Sequence, residues 1–174
     1  MRAPVAMKLA AQGTGTLSAI TLCQPWASLV LVGAKKYEFR TWPPPRELQG
    51  RRIAIHAGAR IPAKRDIVRL LALLRSDRWC EAGLVRDAAI AFLEGVLPKM
   101  GELPRTAVLC TAILGTPIRN AELAEQLDWP DLGAGEWGTS SNWGWPLTDI
   151  QPMPISHVRG YEGVWSLSPA NASA

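Results

Sequence analysis

Three charged side chains that could do chemistry lie within six positions of one another, shortly after a glycine. Lys35, Glu38 and Arg40 follow Gly33 and an apolar run that ends at Val32. A carboxylate between two cations can orient a lysine ammonium group through an ion pair. The pattern predicts either a preorganised group that binds an anion or a base, or a lysine poised for acid–base catalysis. A purely structural ion pair on a strand fits the sequence equally well.

Four residues that flank this charged motif, two before it and two after it, are further candidate ligand contacts. Gln24 precedes a helix start, where its amide can bind a ligand edge or merely the backbone. Trp26 and Trp42 flank the motif, and aromatic rings interleaved with cations are typical of base-stacking surfaces. His56 ends a strand before a small-residue turn whose backbone N–H groups can bind anions, although a histidine that is simply hydrogen-bonded in place is as compatible.

Positive charge is concentrated in the same part of the chain. Residues 35–69 contain ten Lys or Arg and three Asp or Glu, a net charge of +7, so the remaining residues carry −3 of the total +4. Clustered positive charge favours a polyanion such as nucleic acid, and the alternative is a solubilising basic face. The arginines expected to contact phosphates are Arg46, Arg51, Arg52 and Arg60.

Several classes of protein and site are not indicated. The chain has two histidines and no paired acids at a recognisable spacing, so we expect no hydrolase triad, no metal site and no cofactor. No run of about 18 apolar residues is present, which argues against a membrane span. The three cysteines are isolated and are expected to be reduced thiols of a cytoplasmic protein.

The elements that must position these residues form one predicted α+β domain over residues 17–167. A short helix over 25–32 is expected to end at Gly33, and strands are predicted over 17–22, 36–42, 52–56, 106–114, 143–150 and 164–167. Helices are predicted over 62–78, 81–97 and 121–127, the first two forming a helical insertion at 62–97. Tails are expected at 1–16 and 168–174, with a loop at 131–142 and a proline-rich break at 151–154.

The motifs together resemble a known family. Gln24-Pro25-Trp26-Ala27, Gly33-x-Lys35-x-x-Glu38-x-Arg40, Trp42-Pro43 and the run from Arg52 to Ala57 are similar to the activating signal cointegrator homology (ASCH) domain. The C-terminal Trp145-Pro146, Arg159-Gly160 and Gly163-Val164-Trp165 look like that family's closing strands. The resemblance implies a PUA-like mixed β-barrel with flanking helices and a cleft beside the first helix. It also implies RNA, single-stranded nucleic acid or a nucleotide-like ligand as the partner.

Some members of the ASCH family are enzymes, which leaves a second function open. One branch resembles amidohydrolases of acylated cytidine, with a lysine at the position of Lys35 and a threonine nucleophile at the position of Glu38. The glutamate here argues against that nucleophilic route. Other members are ribonucleases, for which Lys35 and a nearby hydroxyl, Ser140 or Ser141, would be wanted. We therefore expect a nucleic-acid-binding domain; the alternatives are a hydrolase in which Lys35 and Glu38 are catalytic, and a protein-interaction domain.

Overall fold

One curled mixed sheet carries the fold in a computed structural model that describes residues 15–129 and 143–168. The strands of this sheet are β1 (Leu17–Leu22), β2 (Tyr37–Arg40), β3 (Arg52–Ala57), β4 (Ala107–Leu114), β5 (Ile118–Arg119), β6 (Trp143–His157) and β7 (Val164–Leu167). The α-helices are α1 (Trp26–Leu31), α2 (Lys64–Arg75), α3 (Arg86–Val96) and α4 (Asn120–Leu127). Short 3-10 helices lie at Arg46–Leu48, Trp79–Ala82 and Leu97–Glu102. The α+β fold class is therefore confirmed.

The strand order brings the two outer strands of the sheet round towards one another. The order is β2-β6-β4-β3-β1-β7, with β5 beside β6, and the sheet curls into a half-barrel. Strands β1 and β3 run parallel, so Leu22 and Ala57 end at the same edge of the sheet. The main core contains Ala27 and Val30 of α1 together with buried residues of β1, β3, β4 and β6. Helix α1 therefore packs directly against the sheet.

Local signals explain where α1 begins and ends. Pro25 precedes its first residue, and Gly33 follows it in the left-handed conformation, with a φ of +76°. The carbonyl oxygen of Leu29 accepts hydrogen bonds from the backbone N–H groups of both Ala34 and Lys35, each at 2.9 Å. The predicted helix and its glycine stop are confirmed. This tight turn fixes the position of Lys35.

The predicted insertion at 62–97 holds two helices that build a second core. Leu70 and Leu74 of α2 and Leu93 of α3 are buried there against Leu29 of α1. Both helices are shorter than predicted, because the 3-10 helix Trp79–Ala82 and a left-handed Gly83 separate them. The helices therefore support α1 on the side away from the sheet.

The expected proline-rich break at 151–154 is wrong. Strand β6 runs without interruption from Trp143 to His157. Strands β2 and β5 pair with its first residues only, up to Pro146, and beyond that point the described partner is β4 alone. Pro152 and Pro154 therefore lie in an edge segment, where a missing N–H breaks no ladder, and two register shifts against β4 absorb the irregularity.

Several predicted features fall outside the described residues. These are most of both tails, at 1–16 and 168–174, and the loop at 131–142, which contains Ser140 and Ser141.

Two glycine-to-alanine substitutions should change stability in opposite directions. A Cβ on Gly83 would stand 2.5 Å from Phe39 Cε2 in a backbone with a φ of +63°, so Gly83→Ala should lower the unfolding free energy by about 2–4 kcal/mol. A Cβ on Gly95, within α3, would meet no neighbouring atom within 4 Å. Gly95→Ala should raise the unfolding free energy by about 0.5–1 kcal/mol. Urea unfolding followed by circular dichroism measures both, and equal effects would contradict this packing at Phe39.

Candidate functional site

A two-part cleft opens between the C-terminal end of β1 and strand β2, with α1 at its base. The inner part has a volume of about 330 Å³ and the outer part about 860 Å³. The inner lining comprises Thr21, Leu22, Cys23, Trp26, Lys35, Glu38, Phe39 and Arg40. The outer part shares Thr21, Cys23 and Arg40 with it and adds Trp42, His56 and residues 159–163. Volumes of this size are those of small-molecule sites.

Lys35, Glu38 and Arg40 form a continuous charged group in the inner part. The Lys35 ammonium donates a hydrogen bond to the carbonyl oxygen of Tyr37 at 2.7 Å and lies 3.3 Å from Glu38 Oε2. The other carboxylate oxygen, Oε1, lies 2.8 Å from Arg40 Nε. Lys35 is 5% exposed and Glu38 is 7% exposed, so the group is nearly withdrawn from solvent. The three residues singled out by the sequence are brought together.

Strand β2 buries the charged residue at its centre instead of an aromatic one. The predicted alternation separates Tyr37 and Phe39 from Lys36, Glu38 and Arg40. In the structure Glu38 is the buried member of β2, opposite Trp145 of β6, while both aromatic rings are half-buried. Glu38 and Arg40 line the inner part of the cleft, and so does Phe39 from the other face of the strand. Sequence alternation separates the two faces but does not say which one is covered.

The surroundings of Lys35 shift its proton equilibrium. Burial lowers the pKa of the Lys35 ammonium; Glu38 opposes this change and Arg40 adds to it. The ammonium also lies 5.5 Å from the centre of the Trp26 ring and 5.1 Å from that of Phe39, as in cation–π contacts. The inner part therefore presents a strong hydrogen-bond donor and a carboxylate acceptor between aromatic rings. Trp26 lines this part, and its role as a ligand contact stays a prediction.

Trp42 lies at the outer part of the cleft and remains 38% exposed. Its ring meets that of Trp145 edge to face, with centroids 4.8 Å apart, and its carbonyl oxygen accepts a hydrogen bond from Trp145 Nε1 at 3.0 Å. Trp145 and Trp165, on the closing strands, are buried, while Trp143 is half-buried.

His56 is held by a hydrogen-bond network that fixes its tautomer. Its Nε2–H donates to the carbonyl oxygen of Val158 at 2.8 Å, which leaves Nδ1 to accept from the Thr21 hydroxyl at 3.2 Å. Trp165 Nε1 donates to the same hydroxyl oxygen at 3.1 Å. Burial lowers the pKa of His56, and the Val158 carbonyl partly offsets this. The imidazole lines the outer part as a neutral group, and its role as a ligand contact stays a prediction.

Gln24 uses its amide on the backbone. Its Nε2 donates to the carbonyl oxygen of Pro104 at 2.6 Å, and its Oε1 accepts from the N–H of Ser28 at 3.2 Å. The side chain faces a neighbouring pocket of about 120 Å³, beside the cleft. The sequence left open whether this amide binds a ligand edge or the backbone, and in the structure it binds the backbone.

The four arginines predicted to contact phosphates are dispersed. Arg60 lines the pocket beside the cleft. Arg52 begins β3 and forms an ion pair with Asp149, while also donating to Thr111 Oγ1 at 3.0 Å. Arg52 precedes His56 by four residues on β3, so the Cα atoms of the two residues are roughly 13 Å apart along an extended strand. Arg46 and Arg51 are exposed and precede β3, and of the four arginines Arg60 is the one that lines a pocket adjoining the cleft.

Some cleft residues were not singled out from the sequence. Thr21, Cys23 and the loop residues Arg159 and Tyr161 line it, and this loop lies more than 100 positions beyond Lys35 along the chain. The one local signal in the sequence was the glycine between them, Gly160. A Cβ at this position would overlap His56 Cε1 and stand 2.7 Å from Thr21 Oγ1. Such a close approach requires glycine and marks a loop that is pressed onto β1 and β3.

Residues 15–129 and 143–168 contain no cluster of three His, Cys, Asp or Glu side chains arranged to hold a metal ion. None of the helices found there is long and apolar enough to cross a membrane.

Comparison with known proteins identifies one family. The ASCH domain family matches residues 20–109, which are 90 of the 174 residues. Among solved structures, the ASCH protein from Zymomonas mobilis is 13% identical with a TM-score of 0.49, over 88% of this chain and 89% of that chain. A serine-to-alanine mutant of that protein gives 14% identity and a TM-score of 0.48, over 86% and 87%. No curated protein sequence matches the chain.

The pH dependence of stability should reveal the neutral state of His56. Because the folded-state pKa of His56 is lowered, the unfolded chain binds the proton more readily, so stability falls as pH drops below about 6.5. In His56→Gln, the loss of melting temperature between about pH 7.5 and pH 5.5 should be smaller than in the parent. His157→Gln, at an exposed position, is the matched control for the loss of an imidazole. An unchanged loss in His56→Gln would contradict the assignment.

Proposed function

We propose that this chain, which belongs to the ASCH domain family, binds RNA or a nucleotide-like ligand in the cleft between β1 and β2. The PUA-like fold of this family is often linked to RNA binding. The observation that carries the proposal is the buried group of Lys35, Glu38 and Arg40 in the inner part. Donors and an acceptor are presented there side by side, next to aromatic rings, which is how single-stranded bases are read.

The charge balance of the inner part favours a base over a phosphate. Glu38 lies within ion-pair distance of both cations, so it already compensates much of their charge. A phosphate placed against Lys35 would also lie close to this carboxylate and be repelled. A neutral, planar heterocycle avoids that cost, since its N–H groups can donate to Glu38 while its ring nitrogen or carbonyl accepts from Lys35 or Arg40.

Phosphate contacts then belong to the rim of the cleft. Arg60 lines the adjoining pocket, and Arg40 lines both parts of the cleft. Arg46, Arg51 and Arg52 would contact only a strand long enough to extend along β3. Binding to phosphates releases counterions, so affinity should depend steeply on salt.

A second candidate function, hydrolysis of RNA or of a modified nucleoside, is favoured by one observation. Burial lowers the pKa of Lys35, and a buried lysine with a lowered pKa is suited to act as a general base or to stabilise developing charge. The candidate hydroxyls Ser140 and Ser141 lie outside the described residues, and the Thr21 hydroxyl is engaged by His56 and Trp165.

Salt dependence and one arginine test the binding proposal. The affinity for a fluorescent single-stranded RNA 20-mer should fall about 10-fold or more between about 50 and 200 mM salt, as expected for three or more phosphate contacts. Arg60→Gln should reduce the slope of log affinity against log salt by about 0.7. The control Arg78→Gln alters an exposed arginine that pairs with Glu81, and it should keep the slope. Affinity that does not change with salt would overturn the proposal.

The carboxylate at the centre of the inner part should be required for base recognition. Glu38→Gln leaves Lys35 and Arg40 without their anion and should weaken binding by about 1–3 kcal/mol, which is about 5- to 150-fold. Glu94→Gln is the matched control, because Glu94 pairs with Arg75 on the exposed surface of the helices. Titration by fluorescence anisotropy measures both, and equal affinities of the two variants would argue against a base-binding inner part.

A turnover assay separates the two candidate functions. The parent protein and Lys35→Ala are incubated with RNA and with acylated cytidine in the presence of a chelator. Product formed by the parent and lost in Lys35→Ala supports the hydrolase. Binding by the parent without product supports the binding domain.

A further inference from the structure

We propose that the outer part of the cleft stacks the nucleotide that adjoins the one held in the inner part. The preferred ligand is then a single strand of at least two nucleotides, rather than a free nucleotide or a duplex. This inference rests on the proposed function and adds a second subsite to it.

Two exposed aromatic side chains supply the stacking surfaces. Trp42 and Tyr161 both line the outer part, and Tyr161 is 51% exposed. Each ring is braced by a buried tryptophan, Trp42 by Trp145 at 4.8 Å and Tyr161 by Trp165 at 5.6 Å between ring centres. The rings are therefore held in place before any ligand arrives, and little side-chain entropy is lost when a base stacks on them.

The charges around these rings suit a phosphodiester backbone. The Arg159 guanidinium lies 5.6 Å from the centre of the Tyr161 ring, and Arg40 stands where the two parts of the cleft meet. Among the described lining residues, Glu162 is the carboxylate that opposes these two arginines in the outer part. A linking phosphate between two subsites would lie beside Arg40. Cations next to aromatic rings are the usual composition of single-strand grooves.

The continuity of the two parts defines the path of the strand. Thr21, Cys23 and Arg40 line both, so the two parts adjoin at these three residues and a strand can run from one to the other past them. To reach Glu38, which is 7% exposed, a base must present its edge free of a pairing partner. Paired bases in a duplex are stacked and have that edge occupied, and splaying one out costs energy. Single strands therefore fit and duplexes do not.

The test compares three kinds of ligand on four proteins by isothermal titration calorimetry. The ligands are the four nucleoside 5′-monophosphates, a mixed-sequence RNA hexamer, and the same hexamer annealed to its complement. The proteins are the parent, Tyr161→Ala, Tyr161→Phe and Ile155→Ala. Ile155 is 58% exposed and lies outside the cleft lining, so its variant controls for the loss of exposed apolar surface.

We expect Tyr161→Ala to weaken hexamer binding by about 5- to 100-fold, while monophosphate binding is unchanged. Tyr161→Phe keeps a stacking ring and should bind the hexamer like the parent, as should Ile155→Ala. The duplex should bind more weakly than the single strand. Unchanged melting temperatures verify that the variants are folded.

The failures of the two proposals are distinguishable. If monophosphates bind but Tyr161→Ala leaves hexamer affinity intact, the outer subsite is overturned while the inner one stands. Equal binding of duplex and single strand overturns the single-strand preference inferred here, while monophosphate binding still reports separately on the inner part. If neither monophosphates nor the hexamer bind the parent protein, the proposed function itself fails.

Discussion

The burial of an ion pair at the end of a short helix is the constraint on which the site depends. Lys35 and Glu38 are almost withdrawn from water, and burying a charge is tolerated only when partners are supplied. The partners are local: the Tyr37 carbonyl, Arg40 and two aromatic rings. The turn at Gly33, the short strand β2 and the helices behind α1 all serve to hold these groups together. The inner part of the cleft is the space left in front of them.

The same arrangement decides what kind of ligand the cleft can recognise. Because Glu38 compensates one of its two cationic neighbours, Lys35, Glu38 and Arg40 together keep a small net positive charge but are strongly polar point by point. Such a surface discriminates by the pattern of donors and acceptors rather than by total charge. The arginines beside and beyond it, Arg60 and Arg159, contribute long-range attraction without pattern. Attraction and discrimination are thus assigned to different side chains.

Local sequence signals predicted the parts of this site that are local in the chain. The helix stop at Gly33 and the adjacency of Lys35, Glu38 and Arg40 follow from backbone preference and strand periodicity, and both are present. Features that depend on distant pairing were not accessible. Whether the prolines interrupt β6 depends on which residues of that strand are paired on both sides, and this is set by strands distant in the chain. Likewise, the ion pair between Arg52 and Asp149 joins residues that are far apart in the sequence. The loop at 159–163 reaches the cleft only through the closing pairing of β7 with β1.

The contact between Gly160 and His56 has a consequence for how this cleft can be altered. The loop is clamped at one residue that admits no side chain, and the clamp rests on a histidine already tied to Thr21 and Val158. Its neighbours Arg159 and Tyr161 project from that fixed point and are exposed. The backbone of the loop is thus fixed at Gly160, while the side chains at the two flanking positions can differ without changing that fixed point. Redesigning ligand preference would mean exchanging those two residues while leaving the glycine between them untouched.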